Sequence, residues 1–106
     1  DEPYLDALDR ALAQAWRAQA DAPPGLVFYV AGADAHEGDR LGRLKLTTKG
    51  MAERDRRVFQ ALERWRLPVA VSMAGGYGRD IAVTVLLHRQ TLAAAQMLAQ
   101  VRRQPV

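Results

Sequence analysis

The chain has 106 residues, of which 49% are apolar and 25% charged, the balance of an ordinary globular domain. It has no cysteine, which excludes disulfide frameworks, thiolate zinc sites and cysteine nucleophiles. Most of its 15 basic residues are arginines spread along the chain among acids, so the net charge of +3 indicates solvated helix faces rather than nucleic-acid binding. No apolar run approaches the roughly 20 residues of a membrane helix, and no signal segment opens the sequence. We therefore expect a soluble, cytoplasmic protein without a membrane partner.

The first element is a predicted helix over residues 3–20. Pro3 suits the first turn of a helix, where its missing N–H is not needed. Apolar side chains recur at three- and four-residue spacing on one stripe, which indicates a face packed against another element. The stripe consists of Leu5, Leu8, Leu12, Trp16 and Ala20. Pro23 and Pro24 cannot continue a helix and end it.

Two short apolar runs predict strands over residues 26–31 and 69–73. The first run is continuous rather than alternating, which is typical of a strand buried on both faces of a parallel sheet. Between the strands we predict a helix over residues 48–65, capped by Thr47 or Thr48, with an apolar stripe opposite a charged face.

A final helix is predicted over residues 80–102. Apolar side chains cover most of its circumference, so it needs neighbours on several sides. The order helix–strand–helix–strand–helix indicates an α/β fold with a βαβ unit, whose crossover should be right-handed.

Candidate functional residues follow both predicted strands. In open parallel sheets ligands bind beyond the carboxyl ends of the strands, where this sequence has Gly32-Ala33-Asp34 and Gly75-Gly76-Tyr77. The two segments should meet in one crevice, where the Asp34 carboxylate could bind a metal ion and the Tyr77 hydroxyl could stabilise an oxyanion. The same residues also fit a loop cap and a tight turn without chemistry, and the pattern alone leaves both interpretations open.

The same region resembles a known family. Residues 28–42 (FYVAGADAHEGDRLG) followed by residues 73–77 (MAGGY) are similar to the C-terminal part of histone deacetylases, most closely the compact bacterial and class IV members. The two motifs come in the family's order, with a helix and a strand between them. The resemblance implies the arginase–deacetylase fold, a three-layer structure with a parallel sheet between helices. It also implies a zinc-dependent hydrolase of acetyl-lysine, acetylated polyamines or related amines.

The resemblance further implies roles for individual residues. Asp34 corresponds to a zinc ligand, and Tyr77 to the catalytic tyrosine that polarises the acetyl carbonyl. Gly75 and Gly76 would let the backbone approach the substrate, and Leu41 would line the tunnel for the acyl-lysine.

The family's other zinc ligands and its tandem histidine pair have no counterpart, since the two histidines are His36 and His88. We interpret His36 as a solvated loop residue rather than a second ligand, and His88 as a packed or partnered helix residue. A catalytic zinc site usually has three protein ligands. We therefore expect residues 1–106 to be a C-terminal fragment of a larger deacetylase domain, which binds no zinc and is inactive by itself.

Two other interpretations remain open. A small stand-alone α/β binding domain could hold a phosphate where residues 75–79 lead into the last helix, although the chain lacks the usual nucleotide-binding glycine motifs. An interaction or folding fragment without chemistry would expose strand edges and an apolar helix. Such surfaces predict self-association.

Overall fold

The computed structural model describes residues 1–103. Five elements follow one another: α1 (Glu2–Gln19), β1 (Val27–Ala31), α2 (Thr48–Arg64), β2 (Val69–Met73) and α3 (Ile81–Arg103). This order confirms the predicted α/β fold, and each end lies at the predicted residue or one residue from it. The last three residues of the predicted 1–106 domain lie outside the described residues.

Helix α1 packs along α2. Its apolar stripe buries Leu5, and Trp16 stacks on Trp65, with ring centroids 5.0 Å apart and planes at 6°. At the other end, the Asp1 carboxylate accepts hydrogen bonds from the Thr47 N–H at 2.9 Å and the Thr47 hydroxyl at 2.6 Å. The two helices are therefore joined at both ends.

Helix α2 has a defined start and end. Thr47 is its N-cap, and the Thr47 hydroxyl oxygen accepts a hydrogen bond from the Gly50 N–H at 2.9 Å. The chain leaves the helix through Arg66, whose φ of 55° lies in the left-handed region. The Leu67 N–H then donates to the Leu62 carbonyl at 3.0 Å, which closes the last turn and directs the chain into β2.

Strands β1 and β2 are adjacent and parallel, with Val27 opposite Val69. Their carboxyl ends therefore lie at the same edge of the sheet. One face packs against α2 and α3, while Phe28 and Val30 on the other face are 73% and 64% exposed. The prediction that β1 is buried on both faces is thus wrong for the described residues, because all three helices leave that second face uncovered.

The core has two parts. One lies under the sheet and comprises Val58, Phe59, Leu62 and Leu67. The other lies at the strand ends and comprises Ala33, Ala35, Leu46, Met51 and Leu87. Because the second part includes residues that follow β1, the loop after this strand is anchored in the core.

A buried ion pair links α2 with the sheet and with α3. Arg54 and Asp55 are 6% and 1% exposed, and their side chains meet at 3.0 Å. Asp55 also accepts hydrogen bonds from the Tyr29 and Thr91 hydroxyls, both at 2.5 Å. Arg54 donates to the Gly32 carbonyl at 2.7 Å. The network therefore satisfies its own buried polar groups and reaches the residue directly after β1.

Among residues 1–103, no helix combines the length and the apolar composition needed to cross a bilayer.

Candidate active site at the strand ends

The segments that follow β1 and β2 lie side by side. The Ala33 N–H donates to the Gly75 carbonyl at 2.7 Å, which continues the contact between the strands beyond their ends. Asp34 and Tyr77 follow on these two segments, and both side chains are exposed, Tyr77 by 56%. The edge of the sheet therefore presents a carboxylate and a phenol on neighbouring segments.

The backbone around Asp34 is closely packed. A Cβ on Gly42 would overlap the Asp34 carbonyl oxygen, so a larger residue at position 42 would push two backbone segments apart. A Cβ on Gly32 would come 2.5 Å from Asp34 Oδ1, so a side chain there would displace the carboxylate. The position of Asp34 thus depends on glycine at both neighbouring sites.

The backbone of Tyr77 is held by the loop that follows β1. The Tyr77 N–H donates to Asp39 Oδ1 at 2.5 Å. The Tyr77 carbonyl accepts from the Arg40 N–H at 3.0 Å and from Arg40 Nε at 3.3 Å. One step further, the Arg79 N–H donates to the Gly38 carbonyl at 3.1 Å. The glycine-rich turn is therefore tied to the β1 loop on both sides of the tyrosine.

Asp39 is a residue of this site that the sequence analysis missed. It is 9% exposed, and its Oδ2 accepts hydrogen bonds from the Leu41 N–H at 3.0 Å and the Gly42 N–H at 2.6 Å. The N–H donors, that of Tyr77 first among them, hold the pKa of the Asp39 carboxyl below its usual range. An aspartate that bonds the backbone two residues on forms an Asx turn, a pattern that could have indicated the local bonds. The bond from Tyr77 spans 38 positions, and no local pattern indicates it.

The three remaining predicted site residues have different surroundings. Leu41 is 71% exposed, and its backbone N–H donates to the Asp39 carboxylate. A Cβ on Gly75 would meet nothing within 4 Å, so the surface beside it is open. A Cβ on Gly76 would lie 3.0 Å from the Ala33 Cβ and 3.1 Å from Thr84 Cγ2. Packing within the chain therefore explains why position 76 is a glycine. The roles of Leu41, Gly75 and Gly76 toward a substrate stay predictions.

His36 is buried and hydrogen-bonded, so the interpretation of a solvated loop histidine is wrong. It is 8% exposed, because its loop packs on the core. Its Nδ1 accepts from the Gly38 N–H at 3.1 Å, and its Nε2 lies 3.0 Å from the Thr48 hydroxyl oxygen. An accepting Nδ1 is unprotonated, so in the neutral ring Nε2 carries the proton and donates it. Both ring nitrogens are therefore engaged inside the chain.

His88 of α3 lies close to the glycine-rich turn of the same site. Its side chain is partly buried, and its Nε2 lies 3.7 Å from the place of a Cβ on Gly76. His88 is thus a helix residue packed beneath the glycine-rich turn.

The first turn of α3 is capped by its own aspartate. The Asp80 carboxylate accepts from the Ala82 N–H at 2.9 Å, and the Asp80 carbonyl accepts from the Val83 and Thr84 N–H groups at 3.1 and 3.3 Å. An anion at this helix start would meet a carboxylate and N–H groups that are already bonded. This geometry does not favour the phosphate-binding interpretation.

A zinc site would need several ligating side chains close together. Catalytic zinc is usually held by three protein ligands. Within residues 1–103, no three His, Cys, Asp or Glu side chains lie close enough together to hold a metal ion. Asp34 supplies one exposed carboxylate, and a zinc ion at this edge would need further ligands from outside the described residues.

Comparison with known proteins decides the family. A family model of the histone deacetylase domain matches residues 1–93. The chain belongs to the histone deacetylase family. Its relatives include an uncharacterized protein of Picosynechococcus sp., 40% identical over 93 residues that cover 84% of this chain and 30% of the relative. Histone deacetylase 2 of Arabidopsis thaliana is 38% identical over 81 residues, which cover 76% of this chain and 20% of the relative.

This histone deacetylase family chain therefore spans less than a third of the length of either relative. The matched region contains both strands and the two segments that follow them, and it ends inside α3. The strand-end site described above thus lies entirely within the residues that the family model matches.

Proposed function

We propose that this chain is the C-terminal part of a zinc-dependent deacetylase that hydrolyses acetyl-lysine or related acetylated amines. The main support for the proposal is that the segments of Asp34 and Tyr77 lie together at one edge of the sheet. They are joined there by the hydrogen bond from the Ala33 N–H to the Gly75 carbonyl. Family membership supports it, because the matched region includes both segments.

In this proposal Tyr77 acts through its hydroxyl group. The hydroxyl donates a hydrogen bond to the carbonyl oxygen of the acetyl group, and this oxygen becomes negatively charged when water adds to the carbonyl carbon. A donor that is already in place stabilises the developing charge more than it stabilises the bound substrate, which lowers the barrier. The side chain is exposed while its backbone is bonded on both sides, so the hydroxyl is accessible and its attachment is fixed.

Asp34 is our proposed zinc ligand in the complete enzyme. Its carboxylate is exposed, and carboxylate oxygen is an accepted zinc ligand. The other ligands and the group that takes the proton from water come from outside residues 1–103 in this proposal. We therefore expect the chain alone to bind no zinc tightly and to hydrolyse no acetylated substrate.

The substrate would lie against the exposed surface of the two segments. The exposed side chain of Leu41 and the open surface beside Gly75 offer an apolar, unobstructed place for the alkyl chain of an acyl-lysine or a polyamine. Both substrate classes present an acetyl amide on such a chain. A cytoplasmic location remains our prediction.

Acetate release tests the proposal. The full-length protein that contains this chain, purified with zinc, is assayed on an acetyl-lysine peptide and on an acetylated polyamine, in parallel with the 106-residue chain. We expect acetate from the full-length protein, loss of activity with a chelator, and none from the chain. If the zinc-loaded full-length protein releases no acetate from either substrate, or if the chain alone turns over, the proposal fails.

A further inference from the structure

We propose that Asp39 is a positioning residue for the catalytic tyrosine, because its carboxylate joins the loop that carries Tyr77 to the loop that carries Asp34 and Leu41. The inference rests on the proposed function, which it extends by a residue that the motifs did not assign.

The first support is the way in which the Asp39 carboxylate is shared. Oδ1 accepts the N–H of Tyr77 at 2.5 Å, while Oδ2 accepts the N–H groups of Leu41 at 3.0 Å and Gly42 at 2.6 Å. Each oxygen thus accepts hydrogen bonds from a different loop. A movement of either loop relative to the other would break at least one charge-assisted hydrogen bond.

The second support is the contact between Gly42 and Asp34. A Cβ on Gly42 would overlap the Asp34 carbonyl oxygen, so the two backbones touch. Because Asp39 holds the N–H of Gly42, it also limits where the backbone of Asp34 can lie. One carboxylate therefore sets the relative positions of the proposed zinc ligand, the tunnel residue and the tyrosine.

The third support is burial. Asp39 is 9% exposed, so water has little access to replace a lost acceptor. Asparagine has the same shape but only one acceptor oxygen, and its NH₂ group would face an N–H donor of one loop or the other. An Asp39→Asn substitution therefore loosens the connection between the loops while it changes the side-chain volume very little.

A double-mutant cycle in the zinc-loaded full-length protein tests the inference. We expect Asp39→Asn to lower kcat by about 10- to 100-fold, the cost of a reacting group displaced by roughly 1 Å, and to change KM by less than about threefold. In a Tyr77→Phe background, Asp39→Asn should lower kcat several-fold less than it does in the wild-type background, because the hydroxyl that it positions is already gone and only its effect through the Asp34 segment remains. Asp39→Glu, which keeps both oxygens, should recover part of the rate.

Glu37→Gln is the matched control. Glu37 is an exposed carboxylate in the same loop, and its backbone N–H donates to Leu46 whichever side chain it carries. We expect this variant to keep the wild-type kcat. Wild-type kcat in Asp39→Asn, or an equal fall in kcat with and without the Tyr77 hydroxyl, would overturn the inference.

Amide hydrogen exchange on the full-length protein gives a readout that does not depend on activity. The Tyr77 amide should be protected in the wild type and exchange at least about tenfold faster in Asp39→Asn, while the Ala33 amide, bonded to Gly75, keeps its rate. An unprotected Tyr77 amide in the wild type overturns the inference even if no variant folds. Absence of deacetylation together with a protected Tyr77 amide would instead contradict the proposed function alone.

Discussion

Three aspartates differ in exposure and in hydrogen-bond partners, and these differences determine the role that each carboxylate can have. Asp34 is exposed and free to meet a ligand. Asp39 is nearly buried and accepts backbone N–H groups from two loops. Asp55 is 1% exposed and is paired with Arg54. The same side chain thus serves as a candidate ligand, a connection between loops and a buried counter-ion.

Glu53 on α2 gives a prediction about pH. It accepts hydrogen bonds from Arg56 at 2.6 and 2.7 Å and from Arg57 at 2.9 Å. These bonds lower the pKa of Glu53 from 4.5 to about 2. Because the pKa is lower in the folded state, the carboxylate stabilises the fold above pH 4.5, and this contribution is lost as the pH falls from 4.5 toward 2.

We expect Glu53→Gln to lower the free energy of unfolding at pH 7 by at most about 1 kcal/mol, because the Arg56 side chain is 56% exposed. Urea titrations followed by tryptophan fluorescence at pH 7 and pH 3 measure this difference. The difference in unfolding free energy between wild type and variant should be smaller at pH 3 than at pH 7. A difference that stays constant would contradict the lowered pKa of Glu53.

At the scale of elements, α2 holds the sheet and α3 together through polar as well as apolar contacts. Its Phe59 packs edge-on against Tyr29 of β1, with ring centroids 5.5 Å apart. Beside this contact, Asp55 accepts the hydroxyls of Tyr29 and Thr91, and Arg54 bonds the Gly32 carbonyl. A change in this network should therefore alter the position of the Gly32 backbone, where the strand-end site begins.

The network predicts unequal costs for two substitutions. Asp55→Ala leaves the Arg54 guanidinium buried without its counter-ion and should lower the free energy of unfolding by about 3–5 kcal/mol. Thr91→Val removes the donor that bonds Asp55 Oδ2, while Tyr29 and Arg54 still bond Oδ1, and should cost about 1–3 kcal/mol. Urea unfolding at neutral pH compares the two variants. Equal losses of unfolding free energy would contradict the prediction that the Arg54–Asp55 ion pair contributes more to stability than the Thr91 hydrogen bond.

The elements themselves could be predicted from local signals. Pro23 and Pro24 end α1, Thr47 caps α2, and apolar periodicity marks the helix faces. The surroundings of His36 and Asp39 could not be predicted, because they depend on how the β1 loop packs on the core and on a partner 38 positions away. Local patterns therefore indicated Asp34 and Tyr77 as candidates, while the residue that connects their loops needed the three-dimensional structure.

At the scale of the whole molecule, the described chain leaves large apolar side chains uncovered. Phe28 and Val30 of β1 are 73% and 64% exposed, and Ile81 and Met97 of α3 are 78% and 66% exposed. The two relatives extend far beyond the matched region, since the chain spans 30% and 20% of their lengths. We propose that other parts of the full-length protein cover these faces.

The isolated 106-residue chain should consequently associate with itself through the exposed face of β1. Sedimentation velocity should show oligomers for the wild type and a shift toward monomer for the double variant Phe28→Ser, Val30→Thr. Leu44→Ser, at a 50% exposed loop residue outside β1, serves as the control and should leave association unchanged. A monodisperse wild-type monomer would contradict this prediction.

In the proposed function Tyr77 supplies the oxyanion donor of an acetyl-amine hydrolase, and Tyr77→Phe in the zinc-loaded full-length protein tests this role most directly. Phenylalanine keeps the ring and the backbone bond to Asp39 and removes only the hydroxyl. Tyr4→Phe, which removes a phenol from α1, is the control and should keep the wild-type kcat. We predict that Tyr77→Phe lowers kcat for acetate release by about 10²- to 10³-fold with little change in KM. A Tyr77→Phe enzyme that releases acetate at the wild-type rate would contradict the proposed role of the Tyr77 hydroxyl.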